Sequence, residues 1–193
     1  MKRREFITGT SLATVGLAGC IGPEHEFKIT ETTVEPDSTP FVMKIDVIDP
    51  DATLEGPAIL ELSVTNASDW PVRVRNRGVW PFGVVWMAKE NPHEVEATRI
   101  AEFMSDAYEE SEHVDKGPQS THLDSTVLEA QLPSGQTASE RYTVSGDDIP
   151  TTGEYGCYGE FEPWLFEFSQ DDGDSWKAYL PKTSINVGSP GLL

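Results

Sequence analysis

From Phe41 onward, hydrophobic and polar residues alternate with a period of two. Phe41, Met43, Ile45 and Val47 are interleaved with Val42, Lys44 and Asp46. Leu60, Leu62 and Val64 flank Glu61 and Ser63, and Val72 and Val74 flank Arg73 and Arg75. Successive side chains on a strand point to opposite faces, so this spacing predicts strands with one buried and one wet face. Phe82–Met87 is a continuous apolar run, which predicts a more central strand with Trp86, and after it Trp80, as the core tryptophan. Further strands are expected over Thr126–Leu132, Ala138–Val144, Tyr155–Phe161, Trp164–Phe168, Trp176–Leu180 and Thr183–Val187. Turn residues separate them at Asp49-Pro50-Asp51, Asn66-Ala67-Ser68, Pro133-Ser134-Gly135 and Asp172-Gly173. Asn91–His122 is long, polar and acidic, with a short helix expected near Ser105–Glu112. Many short strands at this spacing, with no internal repeat, predict an all-β chain folded as one antiparallel β-sandwich over residues 41–188, with a tail at 189–193.

The first forty residues follow a different pattern. Lys2, Arg3 and Arg4 precede an uncharged stretch of residues 6–19 rich in Gly, Ala, Thr and Ser. Spanning a bilayer as a helix takes about 20 apolar residues, so this stretch reads as the apolar part of an export signal. Arg3-Arg4-Glu5-Phe6-Ile7 resembles a twin-arginine signal, the address for proteins exported already folded. Leu17-Ala18-Gly19-Cys20 resembles a lipobox, which implies cleavage before Cys20 and a lipid on its thiol. Residues 20–40, rich in Glu, Thr and Pro, read as a tether, although Phe27, Ile29 and the Thr run also suit a short first strand.

Charge narrows the partners. The chain has 14 basic and 33 acidic side chains, a net charge of −19. Loss of residues 1–19 removes three basic and one acidic group, leaving 11 against 32 and a net charge of −21. Nucleic-acid binding relies on Lys and Arg neutralising phosphates, so it is excluded as a partner. Attraction to anionic lipid heads is disfavoured too, so membrane attachment falls to the lipid on Cys20. Acidity, twin-arginine signal and lipobox together resemble the surface lipoproteins of halophilic archaea.

Thr151-Thr152-Gly153-Glu154-Tyr155-Gly156-Cys157 is similar to the start of strand F in immunoglobulin domains. The resemblance implies a tyrosine corner, with the Tyr155 hydroxyl bonded back to the backbone and Cys157 facing the core. The strand expected over Ile59–Thr65 has no cysteine to pair with it, so Cys157 is expected as a buried free thiol. A Cys20–Cys157 bridge is the alternative, which lipidation of Cys20 excludes.

Ser169-Gln170-Asp171-Asp172-Gly173-Asp174-Ser175-Trp176 matches the Asp-box of sialidases. There the motif is a structural hairpin turn, which assigns Asp171, Gly173 and Trp176 to a turn rather than to chemistry. A calcium site on Asp171, Asp172 and Asp174 lacks the ligand spacing of an EF-hand loop. Asn66-Ala67-Ser68 is a glycosylation sequon, making Asn66 a candidate acceptor. His93-Glu94-Val95-Glu96-Ala97 begins like a zinc-protease helix but has alanine where the second histidine belongs. His113, Asp115, His122 and Asp124 share one polar segment; solvated loop residues are the simpler reading, since no regular element is expected to fix them. No histidine follows Cys157, which excludes the cysteine-histidine set of blue copper, and neither a Walker loop nor a Gly-x-Ser-x-Gly elbow is present. Of the aromatic run Tyr155, Tyr158, Phe161, Trp164, Phe166 and Phe168, most is expected in the core, with Tyr158 and Trp164 as candidates for the surface.

No cofactor and no catalytic set follow from these residues. The expected function is a membrane-anchored extracellular lipoprotein that displays a non-catalytic binding module to a protein or surface ligand. The alternative is a metal- or solute-binding lipoprotein using residues 91–124 or the acidic turn 171–174. The charge carries a test: self-repulsion destabilises the compact state at low salt, and at 1 M salt the screening length falls to about 3 Å. The melting temperature is expected to rise steeply between low and molar salt at fixed pH; a flat profile would contradict this.

Overall fold

The computed structural model describes residues 26–53, 55–95, 100–117, 121–171 and 175–190. In chain order the strands are β1 (Phe27–Val34), β2 (Phe41–Asp49), β3 (Asp51–Ala52), β4 (Ala58–Asn66), β5 (Val72–Arg77), β6 (Val85–Ala88) and β7 (Ile100–Glu102). A single turn of helix, α1 (Asp106–Glu110), follows. Then come β8 (Val114–Lys116), β9 (Thr121–Leu123), β10 (Val127–Leu132), β11 (Thr137–Val144), β12 (Gly153–Gly159), β13 (Phe166–Ser169), β14 (Lys177–Tyr179) and β15 (Thr183–Gly188). All pairings among the named strands are antiparallel.

The fold is an antiparallel β-sandwich. One layer is the sheet β3-β1-β15-β12-β6-β7, and the other is built from the sheets β11-β4-β2 and β10-β5-β13-β14. Between them lies one core, because period-two alternation buries every second residue: Met43 and Ile45 of β2, Leu60, Leu62 and Val64 of β4, and Val72 and Val74 of β5. Tyr155 and Cys157 of β12 and Ile185 and Val187 of β15 belong to the same buried cluster. An aromatic cluster links β2 to the β13–β14 hairpin. Phe41 meets the rings of Phe166, Phe168 and Tyr179 edge-on at 5.1–5.3 Å, and Phe166 stacks on Tyr179 at 4.6 Å.

The two parts of the second layer are joined by a bend. β11 pairs with β4 through Thr137↔Thr65, and β10 pairs with β5 through Leu132↔Val72. Between those rungs the paired ribbon changes sheet, and Asn66 holds it there. The alternation that buries Leu60, Leu62 and Val64 carries Asn66 inward as well, where it has no exposed surface. Its Nδ2 donates to the carbonyls of Trp70, at 2.8 Å, and Leu132, at 2.9 Å. Its Oδ1 accepts from the amide of Ser68, at 3.0 Å, and from the Ser68 hydroxyl, at 2.7 Å. Both amide hydrogens are therefore used inside the protein. The sequon forms a structural turn, and the candidate acceptor nitrogen of Asn66 is bonded inside the protein.

Three expectations are corrected. The sandwich starts at Phe27 rather than Phe41, because β1 pairs with β15 from Lys28↔Gly188 to Val34↔Thr183. A register shift between Ile29 and Glu31 breaks the alternation there, which gives the stretch the look of a tether. Second, no tryptophan is fully buried: Trp70 is exposed, Trp86, Trp164 and Trp176 are half-buried, and Trp80, also half-buried, packs against the core. The strand expected over 82–87 begins only at Val85, and its register turns Val85 and Met87 inward and Trp86 outward. Third, residues 91–124 contain β7, α1 and the β8–β9 ladder, so a regular element does position Asp115 and His122, with His113 and Asp124 at its ends.

Asn66→Ala is expected to cost about 2 kcal/mol, since it leaves the buried Leu132 carbonyl without a donor. Asn66→Asp should cost more, because a buried carboxylate would face two carbonyl oxygens, and the gap between the two variants should widen above pH 4. Urea unfolding of the two variants checks this; an Asn66→Asp protein as stable as the wild type would contradict the bend as described.

Candidate functional site

The outward face of β5 gathers the positive charge of this acidic chain. With Val72 and Val74 inward, Arg73 and Arg75 project from the other side. Arg73 Nε bonds Glu129 Oε1 of β10 at 2.7 Å, and Arg75 Nε bonds Glu167 Oε2 of β13 at 2.8 Å. The bond from Arg73 holds the Glu129 carboxyl below the usual range. Trp176 lies against both guanidinium groups, at 4.8 Å from Arg73 and 4.1 Å from Arg75. The stripe ends at Arg77, which is exposed and opposite Val127.

Beyond Arg77 the chain turns sharply. Asn76 Nδ2 donates to the carbonyls of Val79 and Pro81, and Gly83 N donates to the carbonyl of Val79 at 2.7 Å. Gly83 has φ +71°, and a β-carbon there would lie 3.1 Å from the carbonyl oxygen of Arg77, so the turn requires glycine. A second tight segment, residues 160–165, folds back over the end of β12. A β-carbon on Gly159 would lie 2.5 Å from the Trp164 carbonyl oxygen and 2.6 Å from that of Glu162, so this position excludes any side chain.

Between these segments and the end of β5 lies a cleft of about 180 Å³. Phe82, Leu165 and Phe166 form its buried wall, and Phe161 and Val127 its exposed rim, 44% and 46% accessible. Trp164 is half-buried beside them. The polar lining comprises the Arg75–Glu167 pair, Asn76, Arg77, Glu160 and Glu162. Glu160 is half-buried, and its Oε2 has no hydrogen-bond partner among the described residues. Burial, and then the negative charge of Glu102, push its pKa up to about 7, while Lys116 opposes them. Glu102 itself accepts from Lys116 Nζ at 3.1 Å and Thr121 Oγ1 at 2.8 Å, which fastens the β8–β9 hairpin to β7.

The sequence-predicted residues fall elsewhere. Arg3, Arg4, Phe6, Leu17, Ala18, Gly19 and Cys20 lie outside the described residues, as does Gly173 with Asp172 and Asp174. The Tyr155 hydroxyl donates to the carbonyl oxygen of Thr151. Cys157 is a free, fully buried thiol whose pKa burial pushes up to about 12, so it is an inert packing group in the folded protein. β13 and β14 pair on either side of the Asp-box-like segment, Asp171 Oδ1 accepts from Ser169 Oγ at 2.9 Å, and Trp176 packs across the sheet onto Arg73 and Arg75. His93 meets the Gly159 carbonyl at 3.0 Å. His113 Nδ1 meets Asp124 Oδ2 at 3.0 Å, holding that carboxyl below its usual range, and Asp115 pairs with His122 in the β8–β9 ladder. Among the described residues no three such groups converge to hold a metal ion.

The cleft was not foreseen from the sequence. One signal for it was present: Val72-Arg73-Val74-Arg75-Asn76-Arg77 sets three arginines at strand spacing in a chain otherwise dominated by acids.

A family model described as a domain of unknown function, DUF8130, matches residues 1–190. The chain belongs to that family. No curated protein and no solved structure matches it. Among the described residues no helix is long and apolar enough to cross a membrane.

The raised pKa of Glu160 has a definite sign. Between its ordinary 4.5 and about 7 the folded protein binds more protons at this group than the unfolded chain, so its contribution to stability falls as pH rises through that window. Glu160→Gln mimics the protonated form. The variant is expected to match the wild type near pH 4.5 and to be more stable at pH 8, read from urea midpoints at fixed salt. A constant difference across that range would contradict the burial of this carboxyl.

Proposed function

We propose that the protein is a twin-arginine-exported, lipid-anchored lipoprotein of a halophile's cell surface, whose sandwich is a non-catalytic binding module. The observation that carries the binding half is the cleft at the end of β5, where aromatic and apolar side chains surround a few charged groups, the usual make-up of a small-ligand site. Its lining holds no serine, cysteine or histidine. The leader and Leu17-Ala18-Gly19-Cys20 support the location, and the net charge of −19 supports a salty medium. Since β1 begins at Phe27, six residues lie between Cys20 and the sandwich, a reach of at most about 24 Å. The domain on this reading sits close to the membrane, on a tether shorter than the one expected over residues 20–40. The sandwich with its Tyr155 corner supports an immunoglobulin-like assignment, in which the inter-sheet disulfide is replaced by packing around Cys157.

The anchor is tested by mass spectrometry of the native protein and by fractionating cells that express Cys20→Ser. The expected results are a mature chain starting at a lipid-modified Cys20, and a variant that is released to the medium or left unprocessed. Native protein with an intact Met1 or an unmodified Cys20 would overturn the anchoring.

A further inference from the structure

Resting on the reading of the cleft as the binding site, we infer that its ligand is a small zwitterion with an apolar body, its carboxylate held by Arg77 and its cationic nitrogen facing Glu162. The argument is one of unspent charge. Along the outward face of β5, Arg73 and Arg75 are neutralised by Glu129 and Glu167, within the same sheet. Arg77, two residues on, is exposed and makes no ion pair and no side-chain hydrogen bond among the described residues. The loop 160–165 presents the opposite case in Glu162, exposed and equally without a partner among the described residues. Both line the same cleft, from different elements, and no ion pair joins them.

Each simpler ligand leaves something unanswered. A plain anion would satisfy Arg77 while bringing its charge toward Glu162, and a plain cation would do the reverse. A purely apolar ligand would take water from both charges and return nothing. A zwitterion answers both, and the planar fork of arginine matches a carboxylate. Glu160 adds only a partial charge near neutral pH, because burial, and then Glu102, push its pKa up to about 7. The volume sets the size. A cleft of about 180 Å³ is close in size to the engineered apolar cavity of roughly 150 Å³ that takes up benzene, room for a single side chain or ring. Phe82, Leu165 and Phe166 supply an apolar wall, and the exposed Phe161 stands ready to be covered.

The test is calorimetric titration of the full-length mature protein, at the salt where it is folded, with L-leucine, N-acetyl-L-leucine and L-leucinamide. These share the apolar body and carry both charges, only the carboxylate, or only the ammonium. Leucine is expected to bind at least tenfold more tightly than either analogue. Arg77→Gln should bring leucine down to the level of leucinamide, so that the two bind equally. Glu162→Gln should make leucine and N-acetyl-leucine equal. Both replaced side chains are exposed, so both variants are expected to melt with the wild type. Equal binding of leucine and one analogue by the wild type, abolished by Phe161→Ala, would keep the cleft as the site and overturn the zwitterion. Absence of saturable binding by all three would overturn both the zwitterion and the cleft as a small-ligand site.

Discussion

The bend at Asn66 is the constraint on which the rest of the structure depends. Two paired chain segments, β4–β5 and β10–β11, must leave one sheet and enter another at the same level. Where a ladder breaks, backbone groups lose their partners inside the protein, and buried unpaired groups are costly. One amide side chain meets that demand by donating to Trp70 and Leu132 and accepting twice from Ser68. Backbone bonds between Asn66 and the turn 135–136 complete the corner. The consequence reaches well beyond the corner, because the direction of β5 after the bend sets where Arg73, Arg75 and Arg77 stand.

Charge is organised around that strand. Most acidic side chains are left to solvent, where repulsion is a matter for the surrounding salt. The basic ones hold elements together: Arg73 and Arg75 join β5 to its neighbours on both sides, Arg141 joins β11 to β4, and Lys116 fastens the β8–β9 hairpin to Glu102. Exposed pairs of this kind contribute little singly. Their effect is mainly positional, holding β10 and β13 in register on either side of β5. Glu167, which begins the return to the sheet, is already committed to Arg75.

The candidate site was only partly legible beforehand. The arginine spacing on β5 was visible, since period two places residues 73, 75 and 77 on one face. Their partners were not, because Glu129 and Glu167 are more than fifty residues away and become neighbours only through the ladders β10–β5 and β13–β5. Two of the sequence motifs take structural positions in the fold. The Asn66 sequon pins a bend, and Trp176 of the Asp-box-like segment covers two guanidinium groups. Short motifs report local turn chemistry, and turn chemistry serves architecture as readily as function.

By itself the sequence determined the all-β class, the period-two strands from Phe41 to Val64, the hairpin at 169–177 and the burial of Cys157. Each of these rests on local alternation, local turn residues or plain hydrophobicity, which act over a few residues. The tertiary structure alone decided that β1 joins the sandwich, that Trp86 faces outward while Met87 faces in, and that Arg77 and Glu162 share a cleft. Those outcomes depend on register between strands distant in sequence. A shift of one residue in such a register would exchange the two faces of a strand, and nothing within the strand itself specifies the partner that prevents it.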